Sequence, residues 1–187
     1  SYNTNVAVIN CGTGCLDSTG NTNWTFLAAD SITSASDYHF YVGQATTTLD
    51  TITLIPSVTA ANNLRLSIAT TTTNFRFNTS TTNLTFGGTA SGKVSGTVSY
   101  ENSGETMVID VTTNFAAEDT LTIDGIAVGS FAAISTTTSN FTLQTDGNAT
   151  GTPAATDIKT IRITGSLLLA DATGGQVSNE FSSQNKA

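Results

Sequence analysis

The sequence predicts an all-β protein: an antiparallel β-sandwich, jelly-roll or Ig-like, of about ten to twelve short strands. Three observations predict it. Apolar and hydroxyl residues alternate through 93–128, with Val94, Val98 and Tyr100 on one face and Ser95, Thr97 and Ser99 on the other. Met107, Ile109 and Val111 repeat that period, as do Leu121 and Ile123, the pattern of half-buried antiparallel strands. Turn residues punctuate the chain at short intervals, and helical periodicity is missing nearly throughout. Ala116-Ala117-Glu118 suits a single turn and nothing longer.

Composition agrees. Charged residues are 11% of the chain, less than half the usual share. Polarity comes instead from 38 Thr and 19 Ser, 57 of 187 residues. Threonine is β-branched and suits the solvent face of a strand. A neutral, hydroxylated surface of this kind fits secreted structural or adhesive β-proteins better than a cytosolic enzyme.

In chain order, 1–15 reads as an N-terminal strand or arm with a cysteine loop, 16–170 as the sandwich, and 171–187 as a polar tail. Val6, Ala7, Val8 and Ile9 are apolar on both faces, so this segment is a central strand or one inserted into a groove, a candidate donor strand. Trp24 to Leu27 resumes a strand, and Tyr38, Phe40 and Val42 alternate against His39 and Tyr41. Thr51 to Ile55 ends at Pro56, and Leu64, Leu66 and Ile68 alternate against Arg65 and Ser67. Phe75 and Phe77 flank Arg76, and Leu84 and Phe86 run into Gly87-Gly88. Glu101-Asn102-Ser103-Gly104 suits a type I turn closed by a left-handed glycine. In 121–128 the apolar positions change parity, from 121 and 123 to 126 and 128. An extra residue at Asp124-Gly125, a β-bulge with glycine left-handed, explains the change; a two-residue turn is the competing explanation. Phe141 and Leu143, Ile161 and Ile163, then Leu167 and Leu169 supply the last strands. The chain begins at Ser1 without an apolar leader, which reads as a mature, processed polypeptide; a trimmed piece would read the same.

The net charge of −8, with six scattered basic residues, argues against nucleic-acid and anionic-membrane partners. No stretch reaches the roughly 20 apolar residues of a membrane span. No catalytic constellation stands out. The lone His39 sits between aromatics with no nucleophile motif beside it. Two cysteines and one histidine fall short of a zinc site. Cys11 and Cys15, with Gly12 and Gly14 between them, are expected to form a local disulfide, worth about 2 kcal/mol in the chain-entropy model. An inter-subunit bridge and two free thiols remain the alternatives. No cofactor is expected, although Asp17 to Asn23 and Asp146-Gly147-Asn148 offer oxygen ligands to calcium. Neither is an EF-hand, and solvated turns explain both. Glu118-Asp119 is an acid pair with no cleft marked around it. Asn-X-Ser/Thr sequons occur at Asn23, Asn78, Asn83, Asn140 and Asn148. With 16 Asn in so hydroxyl-rich a chain, chance alone gives about that many, so glycans stay an open partner. Lys93 and Lys159 sit at strand starts, where intramolecular isopeptide bonds occur, but surface lysines at strand ends are the strongly favoured explanation.

Three phrases carry a resemblance: AANNLRLSIA, the run from FNTSTTNLTFGG to DTLTIDGI, and ATDIKTIRITG. Over residues 58 to 165 they resemble β-rich domains of secreted bacterial cell-surface and appendage proteins. The resemblance implies an extracellular, non-enzymatic β-sandwich module and carries no site residues with it. The expected function is a structural subunit of an extracellular filament or surface layer, assembled from copies of itself by strand exchange or edge pairing. The alternative is an adhesin or carbohydrate-binding module using Trp24, Tyr38 and Tyr41 as a stacking platform.

Overall fold

The computed structural model describes residues 29–56, 62–69, 75–116, 118–147 and 152–165. Val6 to Ile9, Cys11, Cys15, Trp24, the loop 17–23 and the tail from Asp171 lie outside the described residues. The chain is all-β, with fourteen strands among the described residues, where the sequence suggested ten to twelve in all. They are β1 (Ser31–Ser34), β2 (Tyr38–Tyr41), β3 (Thr47–Thr48), β4 (Ile52–Ile55), β5 (Leu64–Ala69), β6 (Arg76–Phe77) and β7 (Thr85–Gly87). The second half adds β8 (Val94–Glu101), β9 (Thr106–Val111), β10 (Leu121–Asp124), β11 (Ala127–Gly129), β12 (Asn140–Gln144), β13 (Ala155–Thr156) and β14 (Ile161–Thr164).

Four sheets surround one core. A five-stranded sheet runs β13-β12-β5-β9-β8, and a four-stranded sheet runs β1-β4-β10-β7. A three-stranded sheet, β3-β11-β6, continues the second around a corner, and β14-β2 form a pair. The five-stranded sheet presents cross-strand rows inward: Leu143, Leu66, Met107 and Tyr100 in one, Leu64, Ile109 and Val98 in another. These rows are the period-2 pattern read from the sequence, and they meet Ile32, Ile52, Leu54, Leu121 and Ile123 in a single cluster. Aromatic rings close the core where the sheets join. Phe77 stacks on Phe141 at 5.9 Å, and Phe40 on Phe131 at 4.5 Å.

The parity change at Asp124-Gly125 has a different cause from the expected bulge. Ile123 lies opposite Ile52, and Ala127 opposite Thr48, so four steps along one strand match four along its partner. No residue is inserted. Instead both strands bend together, and the partner changes parity too, from Leu54 and Ile52 to Leu49, which donates its N–H to Ile126 O at 2.8 Å. Gly125 has a φ of +88° at this corner, and the Thr51 hydroxyl donates to Asp124 Oδ1 across it. On the other side, Asp124 faces Thr85 while Val128 faces Phe77, so residues 78–84 loop out between β7 and β6. A register shift does occur, at Ser95–Thr97, where Val94 pairs with Val111 but Val98 with Ile109. Two extra residues preserve parity, so the alternation of 94–100 conceals them.

Two further expectations change. The β2–β14 pair is parallel, Ile161 opposite Tyr38 and Thr164 opposite Tyr41, in an otherwise antiparallel fold. The turn after Glu101 is mirror-image rather than type I: Ser103 (φ 54°, ψ 34°) and Gly104 (φ 87°) are both left-handed, and Glu105 N–H donates to Asn102 O. That handedness matches the twist of a hairpin. At the β1 edge, Ser34 N–H donates to Asp157 Oδ2 at 3.0 Å, so a buried carboxylate caps the strand where another strand could add.

Two glycines separate strain from crowding. A side chain at Gly125 meets nothing closer than Leu84 at 3.8 Å, whereas at Gly88, also at positive φ, it would sit 2.4 Å from Thr120 O. Gly125→Val is expected to cost about 1–3 kcal/mol through backbone strain alone. Gly88→Val should cost a further 1–3 kcal/mol or so, because a backbone carbonyl must move. Urea unfolding of the two variants measures the difference; equal losses would contradict this account.

Candidate functional site

Three ion pairs among the described residues hold turns in place. Arg65 on β5 reaches Glu101 at the end of β8 with two N–H donors, at 3.0 and 3.1 Å, and donates a third to Gly147 O at 2.8 Å. The Arg65 hydrogen bonds hold the Glu101 carboxyl below its ordinary range. Arg76 pairs with Glu105 at 3.0 Å. Lys93 Nζ lies 2.5 Å from Asp119 Oδ2, which also accepts from Ala116 N–H at 2.6 Å, while Oδ1 accepts from the Thr89 hydroxyl at 3.1 Å. Lys93, then the Ala116 amide, lower the Asp119 pKa. The Lys93–Asp119 contact has the geometry of an ion pair. Glu118 beside it is exposed, at a φ of 63°.

The other sequence candidates separate by burial. Tyr38 is in the core, in edge contact with Phe141 at 6.2 Å, and burial raises its pKa. It therefore cannot join a surface stacking platform. Tyr41 is 54% exposed, and His39 is exposed beside it. Among the sequons, Asn140 spends both amide hydrogens on Asp157 O and Lys159 O, each at 2.9 Å. Asn78 Oδ1 accepts from Ser80 N–H, and Asn83 is exposed. Asn23 and Asn148 are outside the described residues. Among the described residues no group of three or more His, Cys, Asp or Glu is placed to hold a metal ion. No helix among them is long and apolar enough to cross a membrane. A shallow polar depression of about 210 Å³ lies between Arg76, Asn78, Ser103 and Ser130, with Arg76 already neutralised by Glu105.

The surface that differs from the rest is the outer face of the β2–β14 pair. Alternation turns Tyr38, Phe40, Ile161 and Ile163 inward and leaves His39, Tyr41 and Arg162 exposed, with His39 opposite Arg162. Tyr38 N–H donates to Thr160 O at 2.9 Å, and Val42 N–H to Thr164 O at 3.0 Å. Asp37 guards the start of the pair, accepting from Thr160 N–H at 2.7 Å, the largest cause of its lowered pKa; Lys159 and His39 add smaller contributions. On the far side of β2 no strand pairs with it among the described residues. The Tyr41 N–H there is met by the Gln44 side chain at 3.0 Å. Sequence reasoning named His39 and Tyr41 but missed Arg162, Ile134 and Ile158. Their placement depends on a parallel pairing between distant segments, for which no local signal exists.

No protein-family model matches the chain, and no curated protein sequence matches it. Among solved structures, it is similar to a non-cellulosomal cohesin from the hyperthermophilic archaeon Archaeoglobus fulgidus. That similarity has a TM-score of 0.39 at 12% identity, covering 73% of this chain and 92% of the cohesin. A likeness of that size carries no functional weight.

The Lys93–Asp119 pair makes a pH prediction. A carboxylate whose folded pKa is lowered stabilises the fold above its ordinary range, and that contribution is lost as pH falls through the folded value. Asp119→Asn is expected to cost about 1–2 kcal/mol at neutral pH, from weakened charge-assisted hydrogen bonds. The gap from the parent should close on acidification; denaturant midpoints across a pH series measure it, and a gap that widens in acid would refute the assignment.

Proposed function

We propose that the chain is a non-enzymatic structural subunit of an extracellular filament or surface layer, assembled from copies of itself by β-strand exchange or edge pairing. The observation that carries this reading is the open side of β2, where the described fold offers backbone groups with no strand beside them. Both edges carry a side-chain cap, Ser34 N–H to Asp157 on β1 and Tyr41 N–H to Gln44 on β2. Tyr41 O also accepts from Gln44 N–H at 3.0 Å, so the backbone groups of His39 are the ones a strand beside β2 would meet. A strand added beside β2 would turn alternate residues toward Phe40 in the core and toward exposed Tyr41 outside. Such a position suits a segment apolar on both faces, and Val6, Ala7, Val8 and Ile9 are one. Burying those four side chains would contribute roughly 4–8 kcal/mol, part of it offset by the entropy of association. The hydroxyl-rich composition supports the same reading, since 57 of 187 residues are Thr or Ser, which suit the solvent face of strands.

Deleting residues 1–10 is expected to leave a folded monomer that no longer polymerises, and a synthetic 1–10 peptide should bind it. Negative-stain microscopy and sedimentation of both proteins make the test. Assembly of the truncated chain, or a full-length chain that stays monomeric at high concentration, would overturn strand donation by this segment.

A further inference from the structure

The β2–β14 pair and its flanks gather what the rest of the described surface lacks. The large apolar side chains left exposed among the described residues are Tyr41, Ile134 and Ile158, at 54%, 57% and 82%. All three border this pair. Tyr41 stands opposite Thr164, and Ile158 precedes β14 by three residues. Ile134 adjoins Ser135, whose N–H donates to Ile163 O at 3.0 Å, and its Cδ1 lies 3.4 Å from where a side chain at Gly165 would begin. Charge converges on the same strip. Arg65, Arg76 and Lys93 are taken up in ion pairs, whereas Lys159 and Arg162 are in none of the ion pairs found among the described residues. The charges at its surface are Lys159, Arg162 and Asp37, a formal sum of +1 on a chain of −8; Asp157, next to Ile158, is buried and accepts from Lys159 N–H at 3.0 Å.

We infer that this strip is where a second copy of the chain docks, through that copy's acidic surface. The inference rests on the homopolymer reading and names the surface that reading requires. Tyr41, Ile134 and Ile158 supply apolar area that desolvates the contact, since exposed patches of this kind mark interaction surfaces. Arg162 and Lys159 supply attraction to carboxylates such as Asp110 and Glu118, which are exposed and outside the ion pairs. A two-fold contact of the strip with itself would bring together two surfaces that are each formally positive, which favours a different, acidic face as its partner, a head-to-tail contact that propagates rather than closing as a dimer.

The test mixes isotopically labelled and unlabelled full-length chain at low salt and couples amines to carboxylates with a zero-length carbodiimide. Peptide mapping is expected to find Lys159 joined to an acidic peptide of the other label. Arg162→Glu should reduce those mixed-label links by about tenfold while circular dichroism stays unchanged. Lys159 joined solely to its own chain, whether at Asp37 or in residues 166–187, overturns the inference, as do mixed-label links indifferent to Arg162→Glu. A polymer without mixed-label Lys159 links overturns the docking strip alone. A monomer with no mixed-label links at all overturns the homopolymer reading with it.

Discussion

The fold depends on two paired strands turning a corner together. Backbone hydrogen bonds hold the β4–β3 and β11–β10 segments residue against residue, so a bend in one must be matched in the other or the ladder breaks. The match is met at Asp50-Thr51 and Asp124-Gly125, where both strands move their inward face by one residue without changing offset. Because the bend is shared, the apolar surface of the four-stranded sheet passes without interruption into the three-stranded one. Ile123 hands over to Ile126, and Ile52 to Leu49. The aromatic cluster of Phe40, Phe75 and Phe131 forms beyond that corner, and the β2–β14 pair rests on it.

Electrostatics follows from how few cations the chain has. Three are committed to turns, where each fixes a geometry that the backbone alone holds weakly. Arg65 binds the end of β8 to the Gly147 turn, and Asp119 ties the β9–β10 connection to Thr89 and Lys93 of the β7–β8 connection. These pairs are partly buried, and besides stabilising the fold they define loop positions and withdraw positive charge from the surface. Among the described residues, the cations outside these pairs, Lys159 and Arg162, fall on one strip.

The all-β class and most inward positions were legible because period-2 alternation is a local property of the chain. Leu64, Leu66, Ile68, Met107 and Ile109 lie where their spacing put them. The misreadings were non-local or hidden by parity. The change at Asp124-Gly125 was visible but was assigned to an insertion, because the matching change from Leu54 to Leu49 lies on a strand whose pairing the sequence does not reveal. The irregularity at Ser95–Thr97 adds two residues and so leaves the alternation intact. The alternation of 38–42 already set Tyr38 and Tyr41 on opposite faces, and the structure sends one into the core and the other to solvent as that parity requires, so the pair could not serve one stacking platform. The surface around Arg162 was illegible for a further reason: it exists only once 161–164 lies along 38–41, a contact separated by more than a hundred residues.

That parallel contact has a mechanical meaning. Tension entering at Asp37 and leaving at Gly165 pulls β2 by its beginning and β14 by its end, along the axis of the two strands and in opposite directions. The hydrogen bonds from Tyr38 to Thr160 and from Val42 to Thr164 then share the load in shear, whereas a hairpin pulled at its open end gives way one bond at a time. The pair would act as a clamp across the described fold, resisting force along the line in which a string of such subunits would be stretched.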